Sequence, residues 1–167
     1  MGSLQMKTRF FALVTTLAFL AFGSPGWAAV TANSIVTTQA PKAYKAQITN
    51  ASGMAAVNLV TPGTNGTKVI SIICSNTDTS AYNVTFSVLR SSTTYFLDTV
   101  AIPASAGYSA SAPPVSILNT TNIPGIPLDS DGNPYLFLEP TDTLQMANGA
   151  TIAAGKAISC HTVAADF

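Results

Sequence analysis

Charged side chains are scarce in this chain of 167 residues, which has seven Lys and Arg and seven Asp and Glu, so that only 8% of its residues are charged. Soluble domains average about 25%. Because exposed helix faces are normally covered by Lys, Glu and Arg, this scarcity argues against a helical fold. The lack of a basic excess argues against nucleic-acid binding, which needs cations to neutralise phosphates. Hydrophobic residues make up 47% of the chain, which excludes charge-driven disorder.

Residue types that carry chemistry are also few. His161 is the only histidine, so a zinc site with the usual ligands lacks a second imidazole. The chain has neither a G-x-S-x-G nucleophile motif nor a phosphate-binding loop. A hydrolase would need suitably separated carboxylates, but most of the available acids fall in predicted turns: Asp78, Asp98, Asp129, Asp131, Glu139, Asp142 and Asp166. We therefore predict that the protein is not an enzyme and binds no cofactor, nucleic acid or small-molecule substrate.

The N-terminal residues have the pattern of a secretory signal peptide. Lys7 and Arg9 precede the uncharged run Phe10–Phe22, and mainly small residues, including Gly26 and Ala28, follow up to Ala29. The run is shorter than the ~20 residues that cross a bilayer as a helix. We predict that residues 1–28 are a signal peptide cut between Ala28 and Ala29. Two alternatives remain open: a retained membrane anchor, and a hydrophobic arm kept within an assembly.

The chain after the predicted cleavage site is long enough for one domain with a substantial core. It keeps five basic and seven acidic residues, because only Lys7 and Arg9 are removed, and its net charge is −2. Residues 29–42 show neither a helical nor a strand period, and we predict an extended arm or linker there. The domain is predicted to span residues 43–167.

Residues 43–167 are predicted to fold as short strands separated by Gly, Pro, Asn and Ser turns. Val84, Phe86 and Val88 alternate with polar residues, which indicates a half-buried strand. Residues 69–73 are apolar on both faces and predict a central strand, and residues 95–97 and 135–138 look similar. The only place for a helical turn is near residues 150–157. The predicted strands are residues 43–49, 55–60, 68–75, 82–90, 94–102, 107–112, 134–139, 143–147 and 157–164.

This number of short strands predicts an all-β fold, a two-sheet antiparallel sandwich that is jelly-roll-like, with an extended N-terminal arm. An immunoglobulin-like sandwich is the second choice. The Cys…Trp…Cys pattern of true immunoglobulin domains is absent, because Trp27 is the only tryptophan and lies in the signal-like segment.

The two cysteines, Cys74 and Cys160, both lie on predicted strands. An even pair in an exported protein favours a disulfide. Such a bond would close a loop of about 86 residues and stabilise the fold by roughly 4 kcal/mol, less any strain. Two separate buried thiols are the alternative. Strand alternation places Ile70 and Ile72 on the same face as Cys74, and it separates Cys160 from His161 on opposite faces.

Two weaker patterns suggest metal binding or catalysis. His161 adjoins Cys160, but because their side chains are predicted on opposite faces, an exposed histidine is the better interpretation. The segment from Asp129 through Asp131 to Asn133 resembles the start of a calcium loop, and these three residues are weak calcium candidates. An EF-hand needs Glu at the twelfth loop position, which is Pro140 here, so a turn before the next strand is the better interpretation.

Several turn-and-strand phrases resemble small all-β proteins of tailed bacteriophages, in particular head decoration or cement proteins. They are the strand entry at residues 65–69, the corner at 75–78, the edge at 102–104 and the segment 128–136. The resemblance covers roughly residues 30–167 and contains no catalytic signature. It implies a non-enzymatic virion structural protein that contacts a capsid or another structural protein.

The first functional hypothesis is therefore a virion structural protein, such as a capsid decoration or related head or tail accessory protein. The alternative is a secreted bacterial β-sandwich protein: an adhesin, a pilus or filament subunit, or a glycan-binding module. The location of the protein is accordingly the virion, or the extracellular space if the signal-like segment is used.

The chain has few charges to keep copies apart, and its arm can gain order on contact with a neighbour. We therefore also predict a homo-oligomer, a trimer or lattice-bound array stabilised by residues 29–42.

Overall fold

The computed structural model describes residues 40–167, and within them the fold is almost entirely β. Nine strands occur, together with one short 3₁₀ turn at Asn50–Ser52. No helix in this part of the chain is long and apolar enough to cross a membrane. The strands are β1 (Ala40–Thr49), β2 (Val57–Val60), β3 (Thr67–Asn76), β4 (Tyr82–Arg90), β5 (Thr93–Ile102), β6 (Val115–Ser116), β7 (Leu136–Leu138), β8 (Asp142–Asn148) and β9 (Ala157–Asp166).

The strands form two antiparallel sheets. The five-stranded sheet has the order β1-β9-β3, and the far edge of β3 pairs with β7 at one end and β6 at the other. The four-stranded sheet has the order β2-β8-β4-β5. The chain changes sheet at most of its connections, and the eight longer strands follow the order of a jelly roll. The predicted jelly-roll-like sandwich is therefore confirmed.

The core lies between the two sheets, and burial follows a period of two along much of the strands. In β8, for example, every second residue from Asp142 to Asn148 is buried. On β4, Val84 and Phe86 are buried and Val88 packs against the core, as expected for residues 84–88. Ser87, which was expected on the polar face, is nevertheless buried, with 6% exposure. The largest fully buried side chains are Phe86, Ile48, Ile72, Ile102, Ile117, Leu138, Leu144, Met146, Ile152, Ile158, Val60 and Val69.

A β-bulge in β3 changes which residues face the core. Val69 pairs with Ala164 and Ser71 pairs with Val163, so Ile70 is the extra residue. Because one residue is inserted, odd-numbered positions point inward before the bulge and even-numbered positions after it. Ile70 is consequently 44% exposed. The prediction that Ile70 shares the face of Cys74 was wrong, whereas Ile72 does share it.

Two strand predictions need correction. Residues 107–112 form turns rather than a strand, with a single bridge between Ser109 and Ala112. Gly107 adopts a positive φ of 69°, and a Cβ there would lie 3.0 Å from the Ser75 side chain, so the chain turns tightly instead of extending. Residues 95–97 were predicted to be central, but β5 is an edge strand.

Smaller differences concern the ends of elements. β1 begins at Ala40, so residues 40–42 of the predicted arm belong to the sandwich. Residues 150–156 contain no helical turn. The segment 135–138 shortens to β7, and this strand pairs with β3 alone. The predicted signal peptide, its cleavage site at Ala28 and Ala29, and the rest of the arm lie outside the described residues.

Candidate functional site

The predicted disulfide is present between β3 and β9. Cys74 and Cys160 are directly opposed in the antiparallel ladder, with their Cα atoms 4.1 Å apart. Both side chains are buried, with 0% and 2% exposure. The bond joins two strands that are far apart in the chain but adjacent in the sheet.

The neighbouring His161 is exposed, while Cys160 is buried, so the predicted separation of their side chains onto opposite faces of β9 is confirmed. His161 lies beside Lys45 of β1 on one side and Ile73 of β3 on the other. Within residues 40–167, no group of three or more His, Cys, Asp or Glu side chains is placed to hold a metal ion.

The weak calcium candidates form a tight turn held by Asp129. Its Oδ1 accepts hydrogen bonds from the backbone N–H groups of Asp131, at 3.0 Å, and Asn133, at 2.8 Å. These backbone bonds, that of Asn133 first, lower the pKa of Asp129. Gly132 completes the turn with a φ of 82°. The arrangement accounts for the Asp-Gly-Asn sequence as a turn before β7, as the alternative interpretation proposed.

Asp142 and Glu139 are two carboxylates that contact the same arginine. Arg90 donates to Asp142 at 2.5 and 2.8 Å, and it lies 3.1 Å from Glu139. The hydrogen bonds from Arg90 lower the pKa of Asp142. A general acid needs a raised pKa, so the shift at Asp142 is opposite to the one that acid catalysis requires.

Two other carboxylates, those of Asp78 and Asp166, accept hydrogen bonds from side chains of neighbouring strands. Asp78 accepts a 2.7 Å hydrogen bond from the Tyr82 hydroxyl, which lowers the Asp78 pKa. Burial raises the pKa of Asp166, but hydrogen bonds from Lys42, Thr67 and Tyr44 outweigh that effect and lower it. Both carboxylates are thus occupied by contacts that hold loops and strand ends.

The outer face of the five-stranded sheet carries a group of exposed apolar side chains. The described residues include nine exposed large hydrophobic side chains, and four of them, Ile70, Ile73, Phe137 and Val163, lie on this face. They come from β3, β7 and β9, which pair side by side. Exposed apolar groups concentrated on one surface mark a site of interaction with other molecules.

The same face carries two lysine side chains, Lys45 and Lys68. Lys45, His161 and Ile73 form one row across β1, β9 and β3, and Lys68 lies in another row opposite Phe137. An open depression of about 570 Å³ is lined by side chains of this region, including Gln47, Ser75 and Ser159. No outward-facing carboxylate occurs among the strand residues that the structure describes on this surface. We call it the basic face, defined by Lys45, Lys68, Ile70, Ile73, Phe137, His161 and Val163.

The outer face of the four-stranded sheet differs in character. Its rows consist mainly of uncharged polar side chains that bond to one another: the Gln145 amide donates to Asn58 at 2.8 Å, and the hydroxyls of Thr85 and Thr99 are 2.9 Å apart. Its one largely exposed apolar side chain is Phe96 on edge strand β5, at 76% exposure. This face therefore offers neither cations nor an apolar cluster.

Sequence reasoning missed the basic face as a unit. Its residues come from four strands between Lys45 and Val163, and they meet only because β1 pairs with β9, β9 with β3, and β3 with β7. The apolar run at residues 69–73 was the one available signal, since two of its members, Ile70 and Ile73, point outward.

No protein-family model matches this chain, and no curated protein sequence matches it. The functional interpretation consequently depends on the geometry and on the sequence patterns.

Proposed function

We propose that the protein is an exported, non-enzymatic structural subunit that acts through protein–protein contacts made by the basic face. The observation that carries this proposal is the gathering of Ile70, Ile73, Phe137 and Val163 on one exposed sheet face. Water contact with these side chains is unfavourable by roughly 25 cal/mol per Å² of apolar surface. Covering them with a partner would remove that cost.

The compartment is supported by two features of different origin. The N-terminal residues have the pattern of a secretory signal, and the bond between Cys74 and Cys160 requires an oxidising environment to form and persist. A secreted pilus or filament subunit, or an adhesin, fits both features.

A virion structural protein is the second candidate. The jelly-roll strand order is common in viral capsid proteins, and the turn-and-strand phrases resemble phage decoration proteins. This candidate also acts through protein–protein contacts, so the two differ in partner and location rather than in mechanism.

The use of the basic face is tested by substituting Ile73→Asp, which adds a carboxylate to its apolar centre. Asn58→Asp adds the same group to the outer face of the four-stranded sheet and is the matched control. We expect Ile73→Asp to abolish the assembled species seen by light scattering and electron microscopy, while Asn58→Asp retains it. Both variants should melt within a few degrees of the unchanged protein. Assembly that survives Ile73→Asp would refute the proposal.

The two candidates are separated by recovering the protein from its source organism. An exported subunit should be found outside the cytoplasm, with an N-terminus at Ala29 by mass spectrometry. It should have no thiol that titrates in denaturant. Recovery in purified phage particles, with residues 1–28 still attached, would instead favour the virion candidate.

A further inference from the structure

We infer that the partner of the basic face is a second copy of this chain, which presents its edge strand β5. The inference rests on the proposed function and names the occupant of the same site. Three features support this partner: the charges without a contact among the described residues, the exposed aromatic residues of β5, and the difference between the two long edge strands, β1 and β5.

Most ionic side chains in the described part of the chain already have a partner within it. Asp142 and Glu139 contact Arg90, Asp166 contacts Lys42, and Asp129 holds its own turn. Asp78 accepts a hydrogen bond from Tyr82, and the Lys68 ammonium lies 4.6 Å from the centre of the Tyr135 ring. Four charges have no such contact with another described residue: Lys45, Lys156, Asp98 and Asp131.

Two of these four charges lie beside exposed apolar surface. Lys45 is in the basic face, in the same row as Ile73. Asp98 follows Tyr95 and Phe96 on β5, and these aromatic side chains are 55% and 76% exposed. Phe96 pairs with Ser87, whereas Tyr95 and Asp98 pair with Val88 and Phe86, so Phe96 extends from one side of β5 and the other two extend from the opposite side. The basic face therefore combines a cation with aliphatic groups, and the exposed edge of β5 combines a carboxylate with aromatic groups. Contact between them would pair the charges and cover both apolar surfaces.

The edge strands of the two sheets are protected to different degrees. β2, β6 and β7 have only four, two and three residues, and short edges offer little to a partner, so the long edges are β1 and β5. β1 carries Pro41, Lys42 and Lys45, the residue types that prevent an edge from pairing with other chains. β5 is equally long but contains neither Pro nor Lys, and its exposed aromatics stand beside the bulge at Leu97. β5 is thus the edge that remains available to a partner.

The contact would join two different surfaces, one on each copy. Each molecule would then still have a free basic face at one side of the contact and a free β5 at the other. Such a heterologous contact continues into a ring when the rotation closes and into an open filament when it does not. Either product agrees with a structural subunit.

The inference is tested by exchanging the two charges in the full chain. We expect Lys45→Glu and Asp98→Lys to weaken self-association about tenfold or more each, because each places like charges in contact. The double variant should restore association to within about threefold, because the attraction returns with reversed sign. Sedimentation velocity over a concentration series measures these dissociation constants, and association of the unchanged chain should weaken as salt is added.

Lys156→Glu and Asp131→Lys are the matched controls, since they reverse the two unpaired charges that lie outside the proposed contact. They should leave the dissociation constant within about twofold of that of the unchanged chain, and the melting temperature of every variant reports whether it folds.

A double variant that associates no more tightly than the single variants would overturn the inference, as would equal weakening of association by the controls. If Ile73→Asp abolishes assembly while the exchange restores nothing, the basic face is used but its occupant is not β5. A chain that stays monomeric when purified, but assembles with a different protein through Ile73, likewise overturns the inference and leaves the proposed function standing.

Discussion

Loss of the Cys74–Cys160 bond should destabilise the domain mainly because the unfolded chain then has a higher conformational entropy. The linked residues are 86 positions apart. For that separation the chain-entropy relation gives about 4.6 kcal/mol at 25 °C, close to the estimate from the sequence. In the folded state the same two residues are already held opposite each other by the ladder between β3 and β9. Breaking the bond should therefore change the native structure little.

The expected melting shift follows from the size of the domain. An unfolding entropy of about 2.1 cal/mol/K per residue amounts to about 0.27 kcal/mol/K over residues 40–167. A loss of about 4.6 kcal/mol then lowers the melting temperature by about 17 °C. The dependence of unfolding free energy on urea should also steepen, because the unlinked unfolded chain exposes more surface.

The assay compares two ways of breaking the bond by circular dichroism, during heating and in urea. In the double variant Cys74→Ala/Cys160→Ala, both the link and the sulfur atoms are lost. In the unchanged protein, unfolded in reductant and refolded, only the link is lost, so the difference between the two samples measures packing. A loss below about 1 kcal/mol in the reduced protein, or an unchanged urea dependence, would refute an effect that acts through the unfolded state.

Three further predictions use other parts of the fold. Because the pKa values of Asp142 and Asp166 lie below the ordinary 3.8, their stabilising effect is complete above that pH and is lost as pH falls through the lower folded values. Melting temperature should therefore stay level from about pH 7 to 5 and drop below about pH 4, and Asp142→Asn should reduce this drop. In Gly63→Ala a Cβ would lie 2.9 Å from the Asp166 carboxyl group, so we expect a loss of about 1–3 kcal/mol in urea unfolding; Gly149→Ala, where the nearest atom is 3.7 Å away, should cost less. Deleting residues 29–39 leaves β1 complete and should preserve the melting temperature while it lowers the assembled mass in light scattering; an unchanged mass would contradict a role for the arm.

The sequence alone was sufficient for the fold class and for most strands, because alternation and turn chemistry are local properties. Residues 82–90 were predicted with the bounds that β4 has, and Val84, Phe86 and Val88 lie in or against the core as expected. The pairing of Cys74 with Cys160 was also predicted, since the chain has two cysteines and both lie on strands. The bounds of β4 were predictable because neighbours along the chain determine them, and the disulfide was predictable because two cysteines allow a single pairing.

What the sequence left undetermined depends on which strands become neighbours. The apolar residues 95–97 read as a central strand, but β5 pairs only with β4, and Tyr95 and Phe96 are therefore exposed. An inserted residue at Ile70 reversed the facing of β3 relative to simple alternation. The basic face joins Lys45 to His161, which are 116 positions apart, through the register of β1 with β9. Pairing, register and bulges arise from packing over the whole sandwich, so a surface assembled across strands exists only in the tertiary structure.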